Sequence, residues 1–199
     1  MGMSTWVVVP IKDFGSAKQR LRPALGPRSR RALARRNARL AVLAAAAGGH
    51  ALVVAGSEAV AELAALWGAE VLLEPHEEGQ NVAARRGIAR AVKGGADAVL
   101  LLSSDLPLVT AGAVRQLLES AGRMRAPAVV AVPAIGRGGT NALYLRPPLA
   151  IGLHFGDDSL AKFREDAEAN GVHFAIHHSD AMALDLDEPS DLTRLSRAV

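Results

Sequence analysis

Three cations lie within nine residues, directly after the first predicted strand. Lys12, Lys18 and Arg20 surround a small-residue turn at Gly15 and Ser16. Small residues let backbone N–H groups approach an anion closely, so the segment is suited to holding a chain of phosphates. A surface loop with unrelated lysines is the alternative, because runs of charge are usually solvated. No Walker A sequence occurs in the chain, and no G-x-G-x-x-G follows this strand, which disfavours a P-loop and a classical dinucleotide site.

A carboxylate follows the most continuous apolar run of the chain. Residues 98–102 predict a strand covered on both faces, and Asp105 comes three residues after its end. A charge at the tip of a buried strand is costly unless it is paired or binds a metal ion. Mg²⁺ prefers one or two carboxylates together with phosphate oxygens and water, which makes Asp105 a candidate ligand. The alternative is that Asp105 caps the following turn through its own backbone.

A second group of carboxylates lies close to the C-terminus. We predict a strand over residues 182–186, and strand alternation would place Asp185 and Asp187 on the same face. Like charges on one face repel each other unless a cation lies beside them, so Asp187 is the natural partner of Asp105 at a metal ion. Which of Asp185 and Asp187 is the direct ligand stays open. The alternative is helix capping, in which Glu188 and Asp191 serve a helix dipole.

Two further segments offer groups that could hold a small anion. A glycine-rich loop over residues 136–139 is followed by Thr140 and Asn141. Further along, Gly156 and Ser159 lie at the start of a predicted helix, where free N–H groups suit a phosphate or a carboxylate. Ordinary first-turn placement of a serine is the alternative.

The elements that must position these residues alternate between strand and helix. In the first helix, Leu33, Leu40 and Leu43 are expected on the apolar side. The order predicts an α/β fold, a three-layer sandwich with a mostly parallel mixed central sheet, and one domain over 1–199. Ligands of such sheets bind at the carboxyl ends of the strands. The patterns predict strands over 6–11, 51–55, 70–73, 98–102, 128–132, 141–145, 172–176 and 182–186. They predict helices over 28–47, 58–67, 80–93, 111–125, 158–170 and from 189 onwards.

Composition excludes several classes of protein. The 199 residues include no cysteine, which excludes disulfides, a thiolate nucleophile and cysteine-ligated zinc or iron–sulfur sites. The apolar stretches are shorter than the roughly 20 residues of a membrane span, and the N-terminus does not resemble a signal peptide. We therefore expect a cytoplasmic protein with no membrane partner.

The charge is distributed unevenly along the chain. Residues 12–39 contain ten basic side chains and one acid, whereas residues 156–191 contain ten acids and two bases. The first segment suits anions and the second could hold a divalent cation. A basic helix face is also compatible with a non-enzymatic nucleic-acid-binding domain. Aromatic residues make up only 4% of the chain, so stacked bases are not expected and we predict no nucleic-acid partner. That face contains Arg28, Arg31, Arg35 and Arg39.

Taken together, these motifs make the chain resemble the 2-phospho-L-lactate and phosphoenolpyruvate guanylyltransferases of coenzyme F(420) biosynthesis. The resemblance extends from Val8 to Leu192 and implies the glycosyltransferase-A-like nucleotidyltransferase fold, also called the nucleotide-diphospho-sugar transferase fold. The D-L-P motif is common among nucleotidyltransferases, and its combination with G-G-T-N-A-L and F-G-x-x-S is more specific. The motifs that carry the resemblance are Val9-Pro10-Ile11-Lys12, Lys18-Gln19-Arg20-Leu21, Gly79-Gln80-Asn81, Ser104-Asp105-Leu106-Pro107, Gly138-Gly139-Thr140-Asn141-Ala142-Leu143, Phe155-Gly156 with Ser159, and Asp185-Leu186-Asp187.

The resemblance implies an enzyme that transfers GMP from GTP to phosphoenolpyruvate, 2-phospho-L-lactate or 3-phosphoglycerate, with Mg²⁺ as cofactor. Lys12, Lys18 and Asp105 would be catalytic. Which acid is used, whether the chain forms a homodimer and whether it hands its product to the next enzyme stay open. The nucleotide would contact Pro10, Lys12, Lys18, Arg20, Gly79, Asn81, Ala84 and Ser104. The acceptor would contact Thr140, Asn141, Gly156 and Ser159. The metal would be bound by Asp105, Asp187 and Asp185.

Three departures from the family pattern bear on these expectations. The chain has Gly-Gln-Asn where Gly-Leu-Asn is usual, and Asp-Glu-Pro where Asp-Thr-Pro is usual. Asp157 and Asp158 stand where less acidic residues are common, and two acids beside an anion pocket oppose a multiply charged acceptor. A molybdopterin or sugar-phosphate nucleotidyltransferase of the same fold is the alternative enzyme, and the G-G-T-N-A-L segment argues against it.

Overall fold

The computed structural model describes residues 3–136 and 138–198, and within them one sheet of seven strands runs through the centre of the fold. The strands are β1 (Thr5–Ile11), β2 (His50–Ala55), β3 (Glu70–Leu73), β4 (Ala98–Leu102), β5 (Ala128–Pro133), β6 (Thr140–Arg146) and β7 (His173–Ile176). The helices are α1 (Pro27–Gly48), α2 (Glu58–Leu66), α3 (Gln80–Lys93), α4 (Ala111–Gly122), α5 (Ser159–Ala169), α6 (Asp180–Ala183) and α7 (Pro189–Ala198).

The sheet is mixed, as the alternation of elements predicts. Its order is β3-β2-β1-β4-β6-β5-β7, and β6 runs antiparallel to both β4 and β5, whereas the other pairs are parallel. The chain leaves β1 towards β2 on one side and returns to β4 on the other. This reversal opens a crevice at the carboxyl ends of β1 and β4, where ligands of such sheets bind. The antiparallel β6 begins at that same edge, which brings Thr140 to the crevice.

Helices cover both faces of the sheet and complete the three layers. Side chains alternate along β1, so Val7 and Val9 pack into one cluster with α1, α2 and α4. Trp6 and Val8 point the other way, into a second cluster with α3 and α5. Strand β4 is buried at every position, as expected for a strand with helices on both sides.

Local signals place most element boundaries correctly. Ser57 caps α2 by accepting the Val60 N–H, and Thr110 caps α4 by accepting the Ala113 N–H. The predicted apolar side of α1 is wrong for Leu43, which is exposed, whereas Leu40 packs against the first cluster as expected. The close approach of this helix to the sheet is made instead by small residues, Ala34, Ala38, Ala41, Val42 and Ala45.

The strand predicted over 182–186 is also wrong. Residues 180–183 form the single turn α6. Leu184 has an extended backbone, and residues 184–186 join no sheet ladder in the described part of the chain. The Asn141 amide donates to the carbonyls of Met182 and Ala183, and the Leu186 N–H donates to the Asp105 carbonyl. These contacts satisfy three of the backbone polar groups that a strand would have paired.

Within residues 3–136 and 138–198, no helix has both the length and the apolarity that crossing a lipid bilayer requires.

Candidate active site

A cavity of about 580 Å³ lies at the carboxyl edge of the sheet. It extends from the loop after β3, past the ends of β1 and β4, to the start of β6. Neighbouring strands are about 4.8 Å apart, so the four steps from β3 to β6 span roughly 19 Å. The cavity therefore has room for two small molecules end to end. Of the residues that the resemblance assigns to a binding or metal site, those that line it are Pro10, Lys12, Lys18, Arg20, Gly79, Ser104, Asp105, Thr140, Asn141, Gly156, Ser159, Asp185 and Asp187. Ser16 and Asp157, also named from the sequence, line it as well.

Lys18 and Asp105, both named from the sequence, form an ion pair in this cavity. The Lys18 Nζ lies 2.6 Å from the Asp105 Oδ1 and donates to the Leu186 carbonyl at 2.5 Å. The lysine side chain is 1% exposed, whereas the carboxylate is 41% exposed and faces the cavity. A buried ammonium needs such partners because an unpaired buried charge is very costly.

The backbone around Lys18 is held in an unusual conformation. Lys18 has φ 58°, in the left-handed region that non-glycine residues rarely adopt. The buried Arg30 of α1 stabilises this turn, since its Nη1 donates to the Gln19 Oε1 at 3.1 Å and to the Lys18 carbonyl at 3.5 Å. The turn directs the lysine side chain inwards, towards the end of β4.

Arg20 and Asp187 form a second ion pair at the cavity wall. The Arg20 Nη1 lies 2.8 Å from the Asp187 Oδ2, and the arginine side chain is 68% exposed. An exposed ion pair contributes little stability and exchanges partners readily. Arg20 can therefore turn towards an incoming anion while Asp187 turns towards a cation. Strand alternation does not relate Asp185 and Asp187, yet both line the cavity.

The end of the cavity at the starts of β6 and α5 carries two hydroxyls and also Asp157, one of the two acids noted in the sequence. The buried Ser159 Oγ donates to the Thr140 Oγ1 at 3.1 Å, which joins the start of α5 to the start of β6. The Asn141 amide group donates to the backbone before Asp185, so its NH₂ positions that segment. Gly156 has φ 129°, a conformation that favours glycine, and it leads into the first turn of α5.

Two residues expected in a nucleoside pocket lie elsewhere. Ala84 is fully buried against the sheet, and its neighbour Ala83 lines the cavity instead, because successive helix positions point about 100° apart. Asn81 forms a reciprocal pair with the backbone of Phe155: its Nδ2 donates to the carbonyl, and its Oδ1 accepts the N–H, each at 2.9 Å. Asn81 thereby positions the segment that carries Gly156.

Asp166 of α5 also holds the segment that carries Gly156. The Asp166 Oδ2 accepts the Gly152 N–H at 2.9 Å and lies 2.6 Å from the His154 Nε2. The hydrogen bond from His154 lowers the pKa of Asp166, and the bond from Gly152 acts in the same direction. The chain from Gly152 to Gly156 is thus tied to α5 on one side and to α3 on the other.

Sequence reasoning missed two acids that line the cavity. Glu74 follows β3 directly, and Glu77 lies three residues later in the same loop. The Glu77 Oε2 accepts the Asp13 N–H at 3.4 Å, which links this loop to the one after β1. The signal that could have found Glu74 is its position at the carboxyl end of a parallel strand.

The carboxylates suit a metal ion that is held jointly with a ligand. In the part of the chain that the structure describes, no three His, Asp or Glu side chains converge into a metal site by themselves. Mg²⁺ needs only one or two carboxylates when phosphate oxygens and water complete its shell. Asp105 and Asp187 are both partly exposed towards the cavity, so the donor set fits Mg²⁺ bound together with a nucleotide.

Residues 5–196 match the family described as "Guanylyl transferase CofC like". A phosphoenolpyruvate guanylyltransferase of Rubrobacter xylanophilus is 40% identical over 195 residues, which cover 97% of this chain and 94% of that protein. A 2-phospho-L-lactate guanylyltransferase of Methanothermobacter thermautotrophicus is 34% identical over 193 residues, which cover 96% of this chain and 83% of that protein.

A solved structure supports the fold independently. A protein of Desulfovibrio desulfuricans G20, assigned to the nucleotide-diphospho-sugar transferases, superposes with a TM-score of 0.75 at 20% sequence identity. The match covers 98% of this chain and 88% of that chain. At this identity the likeness concerns the fold, and it agrees with the fold expected from the motifs.

Proposed function

Because the chain belongs to the CofC-like guanylyltransferase family and is therefore a nucleotidyltransferase, we propose that it transfers GMP from GTP to a small phosphorylated three-carbon acid. The acid is phosphoenolpyruvate, 2-phospho-L-lactate or 3-phosphoglycerate, and the product serves biosynthesis of the deazaflavin coenzyme F(420). The observation that carries the proposal is one cavity that joins the basic loop after β1, two carboxylates and a buried hydroxyl pair.

The reaction needs few catalytic groups from the protein. An oxygen of the acceptor phosphate attacks the α-phosphorus of GTP, a new P–O bond forms, and the bond to the β-phosphate oxygen breaks as pyrophosphate leaves. A phosphate monoester is already an anionic nucleophile at neutral pH, so no general base is required. What the site must do is hold two anions in line and balance the charge that develops on the leaving group.

Different residues of the cavity bind the triphosphate, the acid and the metal ion. Lys12, Lys18 and Arg20 bind the triphosphate, and Thr140 with Ser159 and the α5 N-terminus binds the acid. Asp105 and Asp187 would hold Mg²⁺, which when bound neutralises phosphate charge and orients the leaving group. Asn81 and Asp166 act at a distance, because they fix the loop that carries Gly156.

Pyrophosphate release tests the proposal directly. The purified chain is incubated with GTP, Mg²⁺ and each of the three acids separately, with ATP and CTP as nucleotide controls. We expect release with GTP and one acid, and that acid is then identified as the acceptor. Absence of release with all three acids, while GTP still binds, would reject these acceptors and retain only a nucleotide-binding site.

A further inference from the structure

A buried carboxylate, Glu74, lies at the end of the cavity nearest β3. The Glu74 side chain is 4% exposed and lines the cavity directly after β3. Its backbone N–H continues the ladder to β2, donating to the Ala55 carbonyl at 2.9 Å. The position is therefore rigid, and it lies on the far side of β1 from the hydroxyl pair of Thr140 and Ser159.

Glu74 has acceptor capacity that the protein leaves unused. Among the described residues, its carboxylate is contacted only by Arg86, whose Nη1 lies 2.5 Å from the Oε1. An ionised carboxylate offers about four acceptor sites, so the Oε2 and part of the Oε1 are available to a ligand. A ligand with two adjacent hydrogen-bond donors would fill these acceptor sites.

Arg86 holds this carboxylate in place. The guanidinium also contacts Glu78 and donates to the His76 carbonyl at 3.2 Å, so it binds the loop after β3 at three points. The hydrogen bond to Glu74 raises the pKa of Arg86, which remains protonated at any physiological pH. The Glu74 carboxylate is thus preorganised as a hydrogen-bond acceptor.

We propose that Glu74 selects guanine as the base of the nucleotide by accepting hydrogen bonds from its N1–H and 2-amino group. This inference rests on the proposed guanylyl transfer and specifies which residue reads the base. The pairing edge of guanine presents two adjacent donors that match one carboxylate, whereas adenine and cytosine present ring-nitrogen acceptors there. The negative charge of Glu74 would oppose a triphosphate bound close to it. The strand order places Glu74 at the end of β3, however, on the other side of β1 from the end of β4.

The test compares nucleotides that differ only at the edge read by Glu74. Inosine triphosphate lacks the 2-amino group, and xanthosine triphosphate replaces it with a carbonyl. For the wild-type chain, we expect kcat/KM to be about tenfold lower with inosine triphosphate than with GTP, as for one lost hydrogen bond to a charged group. Equal use of the two nucleotides would overturn the assignment without affecting guanylyl transfer.

The variant Glu74→Gln reverses one hydrogen bond. The glutamine side chain still accepts from N1–H, but its NH₂ faces the 2-amino group that the carboxylate accepted from. The kcat/KM for GTP therefore falls about 10- to 100-fold. The kcat/KM for xanthosine triphosphate rises, because its 2-carbonyl can accept a hydrogen bond from the new NH₂. The ratio of kcat/KM for xanthosine triphosphate to kcat/KM for GTP is therefore higher in the variant than in the wild-type chain. A uniform loss with all three nucleotides would mean that Glu74 only anchors Arg86.

The matched control is Glu78→Gln. Glu78 is the other carboxylate bound to Arg86, its side chain is 52% exposed, and it does not line the cavity. The variant Glu78→Gln should leave the kcat/KM ratios between nucleotides at their wild-type values. If Glu74→Gln does not fold, the comparison of GTP with inosine triphosphate on the wild-type chain still decides the question. If no acceptor supports turnover, calorimetric affinities for the same nucleotides test base selection separately from transfer.

Discussion

The ion pair between Lys18 and Asp105 predicts two separable effects of the substitution Asp105→Asn. Asparagine keeps an oxygen that accepts from the Lys18 Nζ but removes the charge that lies 2.6 Å away. Among the described residues, the Lys18 ammonium, which is 1% exposed, then retains only neutral partners, one of them the Leu186 carbonyl. The variant should therefore be less stable as well as less active.

The size of the stability loss follows from the geometry. At 2.6 Å, unit charges attract each other by roughly 6 kcal/mol at an effective dielectric constant of about 20. The carboxylate is 41% exposed, so water screens the pair and lowers the desolvation cost. We expect a net loss of about 1–3 kcal/mol in the free energy of unfolding, or about 2–4 °C in Tm per kcal/mol for a chain of this size.

Urea unfolding followed by tryptophan fluorescence measures this loss, because the Trp6 side chain of β1 is buried in the cluster with α3 and α5 and reports its disruption. Pyrophosphate release should fall on the order of 10²-fold or more, as expected when a charge that holds the metal is lost. The matched control is Asp97→Asn, which alters an exposed acid at the opposite end of β4. Near-wild-type pyrophosphate release by Asp105→Asn would refute the metal-binding role, and unchanged stability would refute the energetic argument.

Three further predictions follow from the same contacts. Lys18→Ala should weaken GTP binding in calorimetric titration, since one of three cations beside the cavity is lost; an unchanged affinity would mean that Lys18 serves only Asp105 and Leu186. Asn81→Ala removes both hydrogen bonds to Phe155 and should raise the KM for the acid severalfold while that for GTP changes little, and a selective effect on GTP would contradict it. For Asp166, the folded pKa is lowered, so its ionised form stabilises the fold above the ordinary value of 3.8, and this contribution is lost as the pH falls through the folded pKa. Asp166→Asn should therefore be less stable near neutral pH and show a flatter acid limb in urea unfolding measured across pH; parallel curves would refute this.

Local patterns in the sequence were sufficient to predict most of the fold. A continuous apolar run predicts the buried strand β4, and Ser57 and Thr110 mark helix starts because their hydroxyls accept N–H groups only three residues away. The rule that ligands bind at the carboxyl ends of strands then brings the loops after β1 and β4 to one crevice. These inferences need only short-range periodicity and a general property of parallel sheets.

Residues 182–186 show where such patterns fail. Their alternation of apolar and acidic residues is typical of a strand, yet no neighbouring strand is available to pair with them in the described part of the chain. Their conformation is set instead by Asn141 and Asp105, which lie more than 40 residues away along the chain. A strand requires a partner, and the sequence of the segment itself does not contain that information.

The sequence by itself determined the order of elements, the edge of the sheet that binds ligands and the residue types that gather there. Only the tertiary structure decided which of those side chains meet. Lys18 bonds to Leu186, 168 residues away, and Asn81 bonds to Phe155, 74 residues away, and neither spacing leaves a trace in a local pattern. Glu74 likewise is buried and pairs with Arg86 of α3, a contact that its own local sequence does not indicate. Helix and strand periodicity arises from neighbouring residues, whereas a site arises from the packing of segments that are distant along the chain.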